Sequence, residues 1–373
     1  MTERPGGYAL NAPQEAPPLH RPGARGRGAR SNVSGRYEAL AREVFDDGWT
    51  EADGTPPRLA TMVLRDASKS IVSTNCSPDI SFDQSINPYR GCEHGCVYCY
   101  ARPSHAYWGY SPGLDFESVI FAKRNGAALL EAFFNKTGYQ PKPIMIGANT
   151  DAWQPLERER QHTREILKVC ARYRHPISVI SKSALIRRDI DILGPMAADG
   201  LVKAAISVTT LDRRLARELE PRAAAPHRRL ETITALKQAG IPVTVMMAPI
   251  IPALTDHEIE PLLEAAARAG ADHAAYVLLR LPLEIRDLFR EWLADKRPDA
   301  ASHVMSLVRQ MRGGKDYDSD WATRGRGTGP YAKLIASRFR QAIKRSGLDA
   351  PRTALTTSLF ERPLGSAEQP GLF

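Results

Sequence analysis

Three cysteines, Cys92, Cys96 and Cys99, crowd into eight residues of the segment NPYRGCEHGCVYCYARPSHAYWG with the spacing C-x-x-x-C-x-x-C. A single loop of this kind brings three thiolates to one metal centre. Zinc takes four protein ligands in a structural site, or three and a water in a catalytic one, whereas a cubane cluster on three cysteines keeps one iron open for a small molecule. His94 lies between the first two cysteines and would complete a zinc set, but the chain has no second C-x-x-C pair. The spacing favours a [4Fe–4S] cluster, with a zinc knuckle as its alternative. Gly91 and Gly95 flank the first two cysteines, where the backbone must turn tightly. Tyr98, just before the third, offers an apolar platform for an adenine.

The remaining aromatics of the segment, Tyr100, His105, Tyr107, Trp108 and Tyr110, suit stacking on a base or an adenosyl group, and equally suit packing the loop onto a core. Cys76 and Cys170 stand apart. Cys170 falls on the apolar face of EILKVCARY, the usual place of a buried, inert thiol. Five cysteines in 373 residues are too few for a disulfide framework, so the thiols point to a metal site in a reducing compartment.

A loop of this kind needs a scaffold, and the chain after it alternates strand-like and helical runs. PIMIGAN precedes HTREILKVCARY, PISVISKS precedes RRDIDILGPMAADG, and LVKAAISVTT precedes HRRLETITALKQAG; IPVTVMMAPI and AAYVLLRLP continue the series. Such repetition specifies a parallel sheet with helices outside it. With a first strand near SINPYR the count is about six units, which predicts an α/β fold: a partial (β/α)6 TIM-like barrel with short N- and C-terminal extensions. Gly200, Gly240 and Gly270 sit where helix C-termini need a left-handed residue. The expected divisions are a flexible basic arm at 1–36, a preamble at 37–84 packed on the barrel, the barrel at 85–295, a helical extension at 296–348 and a flexible tail at 349–373.

Hydrophobic residues make up 43% of the chain, and no apolar run approaches the roughly 18 residues of a membrane span. The N-terminus has proline, glycine and arginine where a secretory signal would be apolar. A cytoplasmic protein without a membrane partner is expected. The net charge of +9 assists binding to a polyanion such as nucleic acid, although an arginine-rich composition also arises from genomic base bias.

The cysteine spacing, with an aromatic before the third cysteine and βα units following, resembles the radical S-adenosylmethionine superfamily. TDAWQPLE, ISKSALIRRD, SVTTLD, ELEPR and APIIPALTD resemble the branch of spore photoproduct lyase and the DNA repair photolyase-like proteins. The resemblance implies a [4Fe–4S] cluster and S-adenosyl-L-methionine as cofactors, reductive cleavage to a 5′-deoxyadenosyl radical, and an electron donor such as flavodoxin or ferredoxin. It implies that Asn149, Thr150 and Asp151 stand in place of the superfamily's glycine-rich segment for the methionine amino group. Lys182 and Ser207 match carboxylate and ribose contacts, and Arg222 matches a second cationic contact.

The leading function is a radical enzyme acting on a nucleic-acid or nucleotide substrate, in the manner of DNA repair. One alternative directs the same chemistry at a protein side chain or small metabolite. Another makes the chain a clamp- or nucleic-acid-binding accessory protein with a structural or redox-sensing cluster. The last five residues, Gln369 to Phe373, resemble the Gln-x-x-Leu-Phe peptides that dock on sliding clamps.

Overall fold

The structure is a computed structural model and describes residues 26–38, 59–351 and 353–363. The first part of the expected arm, most of the helical stretch YEALAREVFDD and the clamp-like pentapeptide lie outside the described residues.

Ten strands occur among the described residues: β1 (Met62–Arg65), β2 (Val72–Thr74), β3 (Gln84–Ile86), β4 (Tyr89–Arg90), β5 (Val119–Ala122), β6 (Ile144–Ile146), β7 (Ile177–Ser181), β8 (Val202–Ser207), β9 (Val243–Ile250) and β10 (His273–Leu278). The main sheet runs β10-β9-β8-β7-β6-β3-β2, parallel from β3 to β10 and antiparallel at β2. Six parallel strands with helices between them are the partial barrel that the sequence repetition predicts. A smaller sheet, β1-β5-β4, stands beside it.

The period-2 alternation sorts the strand side chains. Val179, Val202, Ala204, Ile206, Val243, Val245 and Met247 are buried against helix residues such as Ile166, Leu193, Ile233, Leu236 and Leu263. Each large aliphatic side chain so buried contributes roughly 1.5–3 kcal/mol. Their alternates Ile180, Ala205, Thr244, Met246 and Ala248 are only half-buried, so the opposite, concave face is lined but not filled. The helices fit this arrangement: His162–Arg172 buries Thr163, Ile166, Leu167 and Cys170, one stripe at helical spacing. Gly200, Gly240 and Gly270 take φ of +69°, +75° and +96° at their helix ends.

β2 and β10 form the two edges of the sheet, and an ion pair bridges the gap beyond them. Arg324, in the loop before the helix Gly329–Ser346, holds both oxygens of Asp79, in the β2–β3 connection, at 2.6 Å. Sequence separation of this size gives no local signal for the pair.

Part of the expected flexible tail is packed instead. Thr356 N–H donates to Gly200 O at 3.1 Å, Glu361 N–H to Tyr173 O at 3.2 Å, and the Arg362 guanidinium to the Lys136 carbonyl at 2.8 Å. The reason is Phe360, whose ring packs against Phe134, Tyr139, Tyr173 and His175. No helix among the described residues is long and apolar enough to cross a membrane.

His175 is fully buried in this aromatic group, stacked on Phe134 with ring centroids 4.3 Å apart. Its Nδ1 donates to Pro176 O at 3.0 Å and its Nε2 accepts from the Tyr139 hydroxyl at 2.7 Å. Burial pushes the imidazole down to about 4. An unfolded histidine takes its proton near 6.5, so between pH 6.5 and 4 the unfolded chain binds the extra proton, and stability falls as pH drops through that window. The wild type should therefore lose stability relative to His175→Phe by up to about 1.4 kcal/mol per pH unit there. Urea midpoints of both proteins from pH 7 to 4 check this; parallel curves contradict it.

Candidate functional site

The three cysteines lie in the loop between β4 and the short helix Arg102–Trp108. Hydrogen bonds to the surrounding elements hold that loop in place. Arg102, fully buried, donates to Cys96 O at 2.9 Å and to Gly113 O at 2.9 Å, and pairs with fully buried Glu117 at 2.5 Å. Glu117 also accepts from the backbone N–H groups of Gly28 and Ala29, both at 2.8 Å. Arg27 donates to Glu117 O at 2.5 Å. A Cβ on Gly28 would lie 1.8 Å from Gly95 O, which shows how closely this segment crosses the loop. Residues 27–29, within the described part (26–36) of the expected arm, are thus docked on the cysteine loop, where buried Glu117 takes their donors.

Further ties come from the barrel. Glu93 N–H donates to Gln154 Oε1 at 2.8 Å, and Val97 N–H to Leu219 O at 3.0 Å. Gly91 and Gly95 adopt φ of +79° and +68°, the turns that glycine permits.

Cys92 and Cys96 are buried and Cys99 is partly exposed. Burial, Asp151 and the other two cysteines push the Cys92 thiol well up; burial and Glu220 push Cys96 to about 12, against the opposing charge of Lys182. Buried thiols so coupled stay neutral unless a positive centre compensates them. Among the described residues no three of His, Cys, Asp and Glu converge as they would on one metal ion. His94 turns instead to Asp151, with Nδ1 3.4 Å from Oδ2. The three thiols are soft donors of the kind that hold an iron–sulfur cluster or zinc, and His94 is engaged by Asp151.

The other predicted residues gather at the strand ends, but several are committed to the protein itself. Asp151 accepts from Ser181 Oγ at 2.8 Å, Lys182 N–H at 2.7 Å and Trp153 N–H at 2.8 Å. Burial alone would raise its carboxyl; His94 and these donors hold it down to about 2. It serves as a lock between β6, β7 and the cysteine loop. Asn149 is exposed at the end of β6 and Thr150 is buried; both backbone N–H groups donate to Asn87 Oδ1, at 2.9 and 3.3 Å. Thr150 Oγ1 donates to Tyr89 O at 2.6 Å.

Tyr98 does not present a free face for adenine. It is buried among Leu215, Leu219 and Phe289, and its hydroxyl binds Glu220 and Thr209. The aromatic exposed at the mouth is Tyr100, 47% accessible, whose hydroxyl donates to Ala148 O. Ser207 is buried at the end of β8, and its carbonyl accepts from Arg229 at 3.0 Å. Arg222 pairs with Glu93 at 2.9 Å. Lys182 carries its ammonium 5.9 Å from the Tyr98 ring centroid. Burial opposes its charge, but Cys96 and Glu220 outweigh this and raise its pKa.

Sequence reading missed Glu220, Arg229, Arg102 and Glu117. Glu220 pairs with Arg229, and burial is outweighed by Arg229 and Lys182, so it is held down to about 2. It lies in ELEPR, two residues before Arg222. Arg102 and Glu117, fifteen positions apart across a turn, had no motif to reveal them.

Residues 86–266 match the family model described as Radical SAM superfamily. An uncharacterized protein of Mycobacterium tuberculosis is 34% identical over 233 residues, 62% of this chain and 68% of that one. A Radical SAM Nalpha-GlyT isomerase of Pseudomonas phage M6 is 25% identical over 197 residues, 52% of this chain and 39% of that one. Solved structures of spore photoproduct lyase share the fold. One matches at a TM-score of 0.51 and 15% identity, covering 79% of this chain and 82% of the lyase. Another, with bound AdoMet and dinucleoside spore photoproduct, matches at 0.50 and 16%, covering 76% and 78%.

Removing one partner of the Arg102–Glu117 pair strands a buried charge, which costs about 3–5 kcal/mol. Glu117→Ala should lower the denaturation midpoint accordingly and reduce iron bound per chain after reconstitution with iron and sulfide. Unchanged stability and iron content would show that the pair does not hold the loop.

Proposed function

Because the chain belongs to the radical SAM superfamily, whose enzymes use a [4Fe–4S] cluster and S-adenosylmethionine, we propose that Cys92, Cys96 and Cys99 hold the cluster and that the concave face of the barrel receives S-adenosylmethionine beside a nucleic-acid or nucleotide substrate. The observation that carries the reading is one loop presenting three coupled thiols at the strand ends of a half-open barrel. When bound, the cluster supplies an open iron for the methionine end of S-adenosylmethionine and the electron that splits its sulfur–carbon bond, giving a 5′-deoxyadenosyl radical.

The chain's own residues bind, orient and exclude water. Lys182 is the cation for the methionine carboxylate. Asn149, exposed and held by Asn87, is the strand-end group for the amino end. Ser207 lies where a ribose would reach the end of β8. Asp151, Tyr98 and Arg222 act one step back: Asp151 holds His94 and Arg222 holds Glu93 of the loop, and Tyr98 ties the loop to Thr209. Thr150 does the same through Tyr89.

The substrate class is supported by a fold neighbour and by charge. Spore photoproduct lyase is the fold neighbour that holds a dinucleoside photoproduct, and the net charge of +9 favours polyanions. A DNA-repair-like reaction is the form this takes. Thiolate chemistry requires a reducing compartment, so the cytoplasm is the expected location, with a flavodoxin or ferredoxin as reductant.

After anaerobic reconstitution with iron and sulfide, dithionite and S-adenosylmethionine should yield 5′-deoxyadenosine from the wild type and only background from Cys96→Ala. Equal product from the two would overturn the assignment. Lys182→Met should weaken S-adenosylmethionine binding tenfold or more, the loss of a charged hydrogen bond of about 1.5–3 kcal/mol; equilibrium dialysis measures it, and undiminished binding removes Lys182 from the site.

A further inference from the structure

Arg280 stands two residues beyond the end of β10, at the strand-end side of the barrel where the cysteine loop also lies. Among the described residues its guanidinium has neither a hydrogen bond nor an ion pair, and its Nε is shut off from water without a partner. Its guanidinium lies over the Tyr100 ring, 5.4 Å from guanidinium carbon to centroid. Tyr100 follows Cys99 directly and is tied across the mouth to Ala148 at the end of β6. An arginine laid on an aromatic face is oriented, with its fork free to bind.

A second guanidinium is placed against it. Arg312 is 3% exposed and fixed by its bonds to Leu279 O at 2.8 Å and Thr323 O at 2.9 Å; its Nε also lacks a partner. The charges of Arg280 and Arg312 act on one another unfavourably. The acids in reach offset these charges only in part, since Asp79 is shared with Arg324, which takes it bidentately, and Asp318 with Thr323 at 2.5 Å and Asp320 N–H at 3.0 Å. Lys182 and Arg324 add their charge around Tyr100. A buried donor without an acceptor and two like charges held together are each costly, and an anion entering the mouth removes both costs.

We propose that Arg280, oriented by Tyr100 and backed by Arg312, is the seat for a backbone phosphodiester of a single-stranded DNA substrate, fixing the strand beside the cysteine loop. The inference rests on the proposed nucleic-acid reading and assigns it a recognition residue. A planar fork matches phosphate bidentately, and a phosphodiester is the anion that every nucleotide of a strand carries. The seat is therefore sequence-neutral, and base identity must be read elsewhere in the cleft.

The test is fluorescence anisotropy with a labelled single-stranded octanucleotide and its uncharged methylphosphonate counterpart, using reconstituted holoprotein at several salt concentrations. The wild type should bind the phosphodiester strand and lose affinity for the methylphosphonate. Arg280→Ala should weaken phosphodiester binding about tenfold and reduce the slope of log affinity against log salt by about 0.7, the value for one lost contact to a single strand. Arg280→Lys should keep the slope while losing part of the affinity, because a point charge replaces the fork. Arg228→Ala, on the outer helix Pro226–Gln238 and paired with Glu231 at 2.6 Å, should bind as wild type. Wild-type affinity and slope in both Arg280 variants would overturn the seat while leaving the nucleic-acid reading intact. Equal affinity of the wild type for the two strands would also overturn the seat. No binding of the octanucleotide by the wild type would overturn both. Should Arg280→Ala fail to fold, the affinity and slope of Arg280→Lys decide alone.

Discussion

The site depends on the buried pair between Arg102 and Glu117. Both side chains are fully excluded from water, and desolvating such charges costs several kcal/mol per ion. The pair persists because nearly every remaining donor and acceptor is used. Arg102 reaches Cys96 O, Pro112 O and Gly113 O, and Glu117 takes the N–H groups of Gly28 and Ala29. One ion pair thereby fixes the middle cysteine's backbone, the turn after the short helix and the N-terminal crossing segment. A loop with two left-handed glycines has little rigidity of its own; the pair supplies it.

A second layer of electrostatics balances the interior around the thiols. Asp151 and Glu220 are both held ionised, one by His94 and the backbone of Lys182, the other by Arg229 and Lys182. Each carboxylate is used up by groups of this chain, so each orients rather than binds. At the strand ends the two carboxylates thus orient the loop, while the Lys182 ammonium lies over the Tyr98 ring and the Arg280 guanidinium over the Tyr100 ring. The Arg324–Asp79 pair ties the two edges of the open sheet at the same mouth.

The fold was legible because its signals are local. Six strand-like runs separated by helical stripes, with glycines at the helix ends, report a parallel barrel directly, and the cysteine spacing within one loop reports a shared metal centre. The individual contacts were less so. Asp151 and Tyr98 have the right residue types at the right places, yet hydrogen bonds from Ser181 and to Glu220 turn them inward, and such partners lie 30 and 122 positions away. Arg102 with Glu117, Arg324 with Asp79, and Phe360 with His175 are likewise long-range and leave no periodic trace. The lack of periodicity and of large apolar side chains in residues 1–36 suggested a flexible arm, because sequence alone does not reveal a buried carboxylate that takes the backbone donors of Gly28 and Ala29.

On the proposed reading, the loop of Cys92, Cys96 and Cys99 holds a cluster with one iron open to a small molecule. Electron paramagnetic resonance of the reconstituted, dithionite-reduced protein tests it most directly. The expected result is about four irons per chain and a reduced-cluster signal whose g-values move when S-adenosylmethionine is added. A signal identical with and without S-adenosylmethionine, or a protein that binds no cluster, would contradict it.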